Sequence, residues 1–311
     1  MATHQVEPTR ETLHGVFSRD FAPILIINPG DTVVFRTIDA GWGIEGPEVP
    51  RKHFEDFIPD RRGDGHAMCG PIAICGARPG MMLEAKLKQI IPSTWGWTLA
   101  GGWDSPINRR LGIVGGGDHR LNWALDTKRM IGRDQFGRTV ALKPFMGVMG
   151  LAPAEPRRAS TVPPRREGGN IDCKELVGGT SLFLPIAVDG ALFSTGDGHA
   201  AQGDGEVSGM AIECPMERVE VEFHLHEKPP IQTAHARLAN AWLTFGFNEN
   251  LNEAAGDALE AMILLLQARH GLSKLDALAI ASVCVDMRIT QVVNQVWGAH
   301  ALLADNAFNR A

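Results

Sequence analysis

The sequence predicts a mostly β protein, with barrel- or sandwich-like sheets and a C-terminal α-helical hairpin, and therefore an α+β chain overall. Three observations lead to this prediction. Short apolar runs of strand length recur along most of the chain. Tight turns separate them, in keeping with 35 glycines and 19 prolines. Helical spacing of apolar residues appears only in the C-terminal part.

The composition narrows the class of protein. Hydrophobic residues make up 44% of the 311 residues, and the formal net charge is −6. Because lysine and arginine form no dense field, we expect no nucleic-acid partner. The longest apolar stretch, around residues 261–266, is too short to span a membrane, so we expect no membrane partner. Five cysteines without C-x-x-C spacing favour a reduced, cytoplasmic protein.

The first predicted strands are residues 24–27 and 32–38, which form a hairpin-like pair. Residues 28–31 connect them, and Pro and Gly stand there at positions that a β-turn prefers. Asp39 ends the second strand on its core-facing side and is a candidate site residue. The alternative is that Asp39 only initiates a turn. The loop of residues 41–65 shows no periodicity, and loops of this length are typically functional or mobile.

A second unit of the same kind follows His66. Residues 72–75 and 83–90 are predicted strands, joined by a Pro-Gly turn within residues 76–80. The repeated order of strand, Pro-Gly turn and strand favours a β-barrel or sandwich. The tryptophans of residues 95–103 either line a substrate pocket or pack in the core.

A change of composition suggests two lobes. Residues 154–169 are rich in Pro, Arg and Gly and are predicted to link an N-terminal β lobe, residues 1–153, to a C-terminal lobe, residues 170–311. The lobes are expected to pack intimately, and one domain is the alternative. Just before the linker, Gly147 and Gly150 interrupt an apolar run, which indicates backbone passing close to a ligand or another strand.

The densest group of polar side chains lies in residues 196–206. Its members are Asp197, His199, Gln202, Asp204 and Glu206. Because four glycines separate them, we predict a tight loop or bulged hairpin between strands at residues 181–195 and 207–214. Hard polar groups on such a loop indicate a metal or catalytic site. The alternative is a solvated turn without chemistry.

Two helices are predicted near the C-terminus. Apolar residues between 255 and 266 follow helical spacing, and Gly271 is placed to end that helix as a cap. Ser273 and Asp276 then begin the next helix as a capping box. We expect the two helices to form a hairpin that packs over the β part.

Seven short blocks follow one another along most of the chain. They are residues 28–33 (NPGDTV), His66 with residues 70–72 (GPI), 76–80 (GARPG), 147–150 (GVMG) with Pro153, 168–172 (GGNID), 196–206 (GDGHAAQGDGE) and 286–293 (DMRITQVV). In these blocks the chain resembles the acetamidase/formamidase family of amide hydrolases. One departure is Met81-Met82, which stands where the family usually has an acidic residue.

The resemblance implies a mostly β architecture with a helical C-terminal part. It also implies hydrolysis of a small aliphatic amide, of the formamide or acetamide type or a lactam, to a carboxylate and ammonia. The enzyme would then be an amidohydrolase, and it would self-associate as a homodimer or a higher homo-oligomer.

Such a reaction needs more than one catalytic group. A general base contributes about 10²- to 10⁴-fold, whereas enzymes reach about 10⁶-fold or more. A bound cation or an oxyanion hole is therefore also required. We predict a divalent metal, zinc with calcium as the alternative. The predicted ligands are Asp39, His66, Asp197, His199 and Glu206.

The predicted catalytic residues are Asp197, His199 and Glu206, and Glu206 is the first choice for the base that activates water. The predicted substrate-binding residues are Gly147, Asn170 and Gln202. Two alternatives stay open. Cys69 or Cys173 would serve as a thiol nucleophile, or the chain would be a non-catalytic cation- or sugar-binding β protein whose acidic loop is structural.

Overall fold

The structure of the chain, a computed structural model, describes residues 1–43 and 65–308. Most of the predicted loop at residues 41–65 therefore lies outside the described residues. Strands dominate the described part of the chain, and two consecutive helices lie near its C-terminal end. The predicted mostly β, α+β fold with a C-terminal helical hairpin is confirmed.

The largest sheet has nine strands, drawn from both halves of the chain. In spatial order they are β1 (Thr3–Val6), β5 (Thr32–Thr37), β17 (Met216–His226), β7 (Met82–Pro92), β15 (Thr180–Pro185), β18 (His235–Arg237), β19 (Ala241–Asn248), β21 (Trp297–Ala304) and β20 (Val285–Gln291). Most neighbours in this sheet are antiparallel, and β1 pairs with β5 in parallel.

A six-stranded sheet faces it. In spatial order it contains β14 (Gly168–Asn170), β12 (Phe145–Gly150), β16 (Phe193–His199), β6 (Met68–Ile74) and β2 (Leu13–His14), and β4 (Leu25–Ile27) pairs with β6. Two smaller sheets consist of β8 (Trp95–Ala100), β9 (His119–Asp126), β10 (Ile131–Asp134) and β11 (Thr139–Ala141), and of β3 (Val16–Phe17) with β13 (Ala159–Ser160). The helices are α1 (Pro106–Leu111), α2 (Leu251–His270) and α3 (Lys274–Cys284).

The main core lies between the two large sheets. Phe35 on β5 and Phe223 on β17 contact Phe193 on β16, with ring centroids 6.3 and 5.0 Å apart, and all three side chains are buried. Apolar side chains of both sheets join them in one continuous cluster. Burial of this apolar surface is what holds the two sheets face to face.

Both predicted Pro-Gly turns form, but they carry the chain from one sheet to the other. The turn at residues 28–31 leads from β4 to β5, and β4 pairs with β6 in parallel instead of with β5. The predicted hairpin-like pair is therefore wrong. Gly30 N donates to Phe223 O at 2.7 Å, and Phe223 N donates to Asp31 O at 3.1 Å, so the turn docks onto β17. The turn within residues 76–80 leads from β6 to β7 in the same way.

The helical hairpin follows its predicted local signals. Gly271, at φ +61°, ends α2, and Ser273 Oγ accepts a hydrogen bond from Asp276 N at 3.1 Å at the start of α3. α2 packs closely on β19, where a Cβ added to Gly246 would lie 1.9 Å from Ala254 O. Of the helices in residues 1–43 and 65–308, none has the length and apolar character to cross a membrane.

Strands from the two predicted lobes are neighbours in both large sheets. β5 pairs with β17, β7 with β15, and β12 with β16. The predicted linker, residues 154–169, contributes β13, which pairs with β3. The division into lobes at residues 1–153 and 170–311 stays a prediction, and the cavity described below draws residues from both.

His235 on β18 leads to a prediction about acid stability. Its buried ring stacks on Phe183 with centroids 4.7 Å apart, and its Nδ1 donates to Thr233 O at 2.9 Å. Burial lowers the pKa of His235 from 6.5 to about 4. The unfolded chain therefore takes up this proton first as the pH falls, so the free energy of unfolding should drop below pH 6.5. The expected loss is about 2 kcal/mol at pH 5.

Urea unfolding between pH 7 and pH 4 measures this contribution. His235→Phe should lose that part of the pH dependence, because phenylalanine does not titrate. The control His119→Phe replaces an exposed histidine that stacks on Phe136, and it should keep the wild-type dependence. Equal slopes in wild type and His235→Phe would contradict the assignment.

Candidate active site

Asp197 and His199 lie on a strand. The predicted loop or bulged hairpin is wrong over residues 196–199, which belong to the fully buried β16. The irregular segment begins at Ala200 and carries Glu206. The predicted strand at residues 207–214 is also wrong, since this segment consists of turns, bends and isolated bridges before β17 begins.

The glycines of β16 serve close packing. A Cβ added to Gly196 would lie 2.1 Å from Ala67 O, and one added to Gly198 would lie 2.6 Å from Cys214 O. Real Cβ atoms essentially never come this close to a backbone oxygen. These two glycines therefore permit contact between backbones, which a sequence pattern does not distinguish from a turn.

Three strands bring the site residues together over Gly147 on β12. The register with β16 places Asp197 across from Gly147. On the other side β14 leads to Asp172, whose N donates to Gly147 O at 3.3 Å. A Cβ added to Gly147 would lie 2.5 Å from Asp197 Oδ2 and 2.6 Å from Asp172 Oδ1. It would also lie 2.8 Å from His199 Cε1, so the space above this glycine is filled by site side chains.

His199 is the centre of the cluster. Its Nε2 lies 3.2 Å from Asp197 Oδ1 and 3.3 Å from Glu213 Oε2. Its Nδ1 lies 3.0 Å from Gln202 Oε1, an acceptor, and 3.9 Å from Asp172 Oδ1. Nδ1 therefore carries a proton, and Nε2 faces the two carboxylates.

Both polar atoms of the Gln202 side chain form hydrogen bonds within the protein. Its Oε1 accepts from His199 Nδ1, and its Nε2 donates to Asp172 O at 2.7 Å. This arrangement fixes the imidazole orientation, as partners of metal-binding histidines do. We propose that Gln202 positions His199, and its predicted contact with substrate stays a prediction.

The cluster forms one wall of a cavity of about 390 Å³. The other residues around this cavity include two tryptophans, a histidine and two amides. These are Trp42, Trp97, His66, Asn170 and Asn294. Trp97 lies at this cavity, as the pocket alternative for the predicted tryptophans requires. The cavity is large enough for a small amide.

Four carboxyl groups and one imidazole are buried together: Asp172, Asp197, Glu206, Glu213 and His199. Burial raises the pKa of Asp172 and of Glu213 to about 7, although His199 opposes it. Burial and then the neighbouring Asp172 raise the pKa of Glu206. Burial acts to lower the pKa of His199, but Glu213 and Asp197 outweigh it and raise the pKa. Burial acts to raise the pKa of Asp197, but the nearby His199 outweighs burial, so the pKa of Asp197 is lowered.

Backbone strain marks the same residues. Asp172, Asp197 and Glu206 have φ values of +51°, +59° and +45°, a region that costs non-glycine residues of order 1–3 kcal/mol. Such conformations persist where surrounding contacts hold them in place, and they are concentrated at functional sites. Three of the four cluster carboxylates are therefore held in conformations that a purely structural loop does not require.

The donor set fits a divalent cation. Asp197, His199 and Glu213 place one potential ligand atom each within 4.8 Å of one another, and Asp172, His199 and Glu206 do the same. Asp172 Oδ1 is buried and accepts no hydrogen bond from the described residues. Four carboxylates exceed the charge that one imidazolium neutralises, so a cation would relieve the burial of negative charge.

Two predicted ligands do not join these groups. Asp39 is buried, but its Oδ1 accepts from Gly41 N at 2.7 Å, which matches the alternative of a turn initiator. His66 lines the cavity, and its Nδ1 lies 2.9 Å from Thr161 Oγ1. We therefore leave Asp39 out of the proposed ligand set and place His66 at the cavity wall.

Three site residues were not predicted: Asp172, Glu213 and Asn294. Asp172 lies two residues after Asn170 in a recognised block, which was the available signal. Glu213 reaches the cluster through isolated bridges of its backbone to Trp97 and His199. Asn294 Nδ2 donates to Asp172 Oδ2. No local pattern identifies the last two, because only the tertiary fold brings them to the cluster.

The two candidate thiol nucleophiles are poorly placed. Cys69 and Cys173 are buried, and neither lines the cavity. Burial raises the pKa of Cys69 to about 12 and raises that of Cys173 as well. Because the thiolate is the nucleophile, neither thiol is activated for attack here.

Comparison with known proteins identifies the family that the sequence blocks resemble. A sequence model of the acetamidase/formamidase family matches residues 154–304. The acetamidase of Mycolicibacterium smegmatis is 52% identical over 50 residues, a match that spans 16% of this chain and 12% of that relative.

Solved structures match over the whole fold. The acetamidase structure from Bacillus halodurans has a TM-score of 0.84 and 26% identity, and the match covers 96% of this chain and 97% of that one. The acetamidase structure from Yersinia enterocolitica has a TM-score of 0.85 and 23% identity, with 99% and 93% covered. The resemblance to the acetamidase/formamidase family is therefore confirmed.

Proposed function

From the resemblance to the acetamidase/formamidase family, we propose that the chain hydrolyses a small aliphatic amide to a carboxylate and ammonia. The reaction would take place in the 390 Å³ cavity. The observation that carries this proposal is the buried group of four carboxylates around His199 at the cavity wall. Formamide, acetamide and a small lactam are the proposed substrate types.

Asp197, His199 and Glu213 are the proposed ligands of a divalent ion. His199 would bind through Nε2, because Gln202 occupies Nδ1. We propose zinc, which suits three N and O ligands with an open position, and calcium is the alternative for a carboxylate-rich site. When bound, such an ion polarises the amide carbonyl and makes a water molecule more acidic.

Glu206 is the proposed general base. It lies on the segment after β16, lines the cavity and is buried. Its carboxylate would accept a proton from the attacking water and return it to the amide nitrogen, which then leaves as ammonia. Burial and Asp172 raise its pKa, which makes its ionised carboxylate a stronger proton acceptor.

Asn170 is the proposed substrate contact. Its Nδ2 donates to Val162 O at 3.2 Å, while its buried Oδ1 accepts nothing from the described residues. An N–H of the substrate carboxamide would satisfy this oxygen. Trp42 and Trp97 would enclose the acyl group and exclude water.

Ammonia release from formamide, acetamide, propionamide and a γ-lactam tests the proposal. We expect turnover of at least one amide and its loss after chelation. The rival is a non-catalytic cation-binding protein. It predicts no ammonia from any of the four, together with a lower melting temperature after chelation, and that outcome would overturn the proposal.

We also propose a homodimer, or a higher homo-oligomer, that associates through the exposed side of α3 and β20. On α3 the side chains of Leu275, Leu278 and Val283 are 79%, 49% and 85% exposed. β20 is an edge strand of the nine-stranded sheet. Antiparallel pairing of β20 with the same strand of a second copy would continue the sheet across a two-fold axis.

Val283→Glu tests this surface by placing a charge at the proposed interface. Sedimentation should show a shift toward monomer. Leu111→Glu is the control, because Leu111 is 62% exposed on α1, in a different element. An unchanged association state in Val283→Glu would contradict the proposed surface.

All five cysteines are free, which supports the proposal of a reducing, cytoplasmic location.

A further inference from the structure

A second group of potential metal ligands lies outside the cavity. Cys173 and Glu175 follow Asp172 along the chain, and His300 lies on β21. One donor atom from each lies within 4.8 Å of the others. Cys173 Sγ is 3.2 Å from Glu175 Oε2, and His300 Nε2 is 3.9 Å from the same oxygen. Donor atoms around tetrahedral zinc are separated by about 3.3–3.6 Å, so small side-chain adjustments would suffice.

His300 presents an unused nitrogen to this group. The residue is 0% exposed, and its Nε2 has no hydrogen-bond partner among the described residues. Its Nδ1 lies 2.8 Å from Thr290 Oγ1. If Nδ1 donates this hydrogen bond, Nε2 keeps its lone pair and faces Glu175 and Cys173. A buried polar atom without a partner is costly, and a ligand is one explanation for its persistence.

Glu175 is held in a matching orientation. Its Oε1 accepts from Arg288 Nη1 at 2.8 Å, which turns Oε2 toward Cys173 and His300. Arg288 and Lys174 also contact the Asp204 carboxylate. The Asp204 carboxylate therefore partly neutralises the positive charges of Arg288 and Lys174 next to the three potential ligands. Outer contacts that orient ligands in this way are typical of metal sites.

We propose that Cys173, Glu175 and His300 form a second metal site, for a divalent ion of the zinc class. A thiolate, a carboxylate and a neutral imidazole together balance a charge of +2. The sulfur donor favours zinc over calcium or magnesium. The site would connect the segment after Asp172 to β21 and thereby brace the segment that carries Asp172 at the cavity wall. It is independent of the proposed amide hydrolysis.

Cobalt substitution distinguishes this site from the one around His199. Co²⁺ bound to a thiolate gives an intense charge-transfer band in the near ultraviolet, whereas the donors proposed around His199 are only nitrogen and oxygen. We expect full-length protein loaded with Co²⁺ to show the band. Cys173→Ser should remove it and lower the bound metal by one equivalent.

Two variants complete the experiment. Cys214→Ser is the matched control, since Cys214 is also buried and lies in the segment next to His199, and it should keep the band. Glu175→Gln keeps the side-chain shape and should weaken cobalt binding at this site at least tenfold while circular dichroism remains native. Absence of the band in wild type, or its persistence in Cys173→Ser, would overturn the proposal.

Discussion

Gly147→Ala is expected to lower ammonia release at least about 10²-fold, since a displacement near 1 Å at a catalytic site can cost that much. The new methyl group would lie 2.5 Å from Asp197 Oδ2, 2.6 Å from Asp172 Oδ1 and 2.8 Å from His199 Cε1. All three neighbours are side-chain atoms, so these groups must move apart while the backbone of β12 stays in place. Metal content measured after dialysis should fall together with the rate.

The control for Gly147→Ala is Gly203→Ala. Gly203 lies between Gln202 and Asp204 on the same segment as Glu206, and an added Cβ would meet nothing within 4 Å. This variant should keep its activity and metal. Thermal melting of both proteins separates local displacement from unfolding. A fully active Gly147→Ala protein with normal metal content would show that the side chains packed over Gly147 do not carry out the reaction.

Glu206→Gln is expected to reduce kcat by about 10²- to 10⁴-fold, the range that a general base contributes. Glutamine has the same shape but takes up no proton. Because Glu206 is buried beside Asp172, replacing a carboxylate with a neutral amide should leave the melting temperature equal or higher. Metal content should remain at the wild-type level, since the proposed ligands are Asp197, His199 and Glu213.

Measured together, rate and metal content identify the role of Glu206. A large loss of kcat with normal metal supports the base, and loss of both would make Glu206 a ligand instead. Glu227→Gln, at an exposed position after β17, should match wild type in both. Normal turnover by Glu206→Gln would remove the proposed role altogether.

Local signals predicted the helical hairpin well. The cap at Gly271 and the capping contact between Ser273 and Asp276 depend only on residues adjacent in sequence. The Pro-Gly turns were predicted for the same reason. The strands that pair on either side of these turns were not predicted. β4 and β5 lie in different sheets, and the tertiary core decides which sheet each strand joins.

The candidate site was predicted in part. The dense polar pattern identified Asp197, His199 and Glu206, and the interrupted apolar run identified Gly147. The glycines of β16 were interpreted as turn residues, although they serve close contact with backbone far away in the sequence. Glu213 shows most clearly what a sequence pattern cannot predict. It lies in an irregular segment and reaches the cluster through an isolated backbone bridge to His199.

The central claim is that His199 and its carboxylates hold a divalent ion that amide hydrolysis requires. The direct test is a zinc titration of chelated protein, with ammonia release and bound metal followed together. To count the ion at this site alone, the titration is made on Cys173→Ser and repeated on the same protein carrying His199→Asn. We expect ammonia release to return in proportion to bound zinc and to saturate at one equivalent, with no recovery in the His199→Asn protein. Full turnover by metal-free protein would contradict the claim.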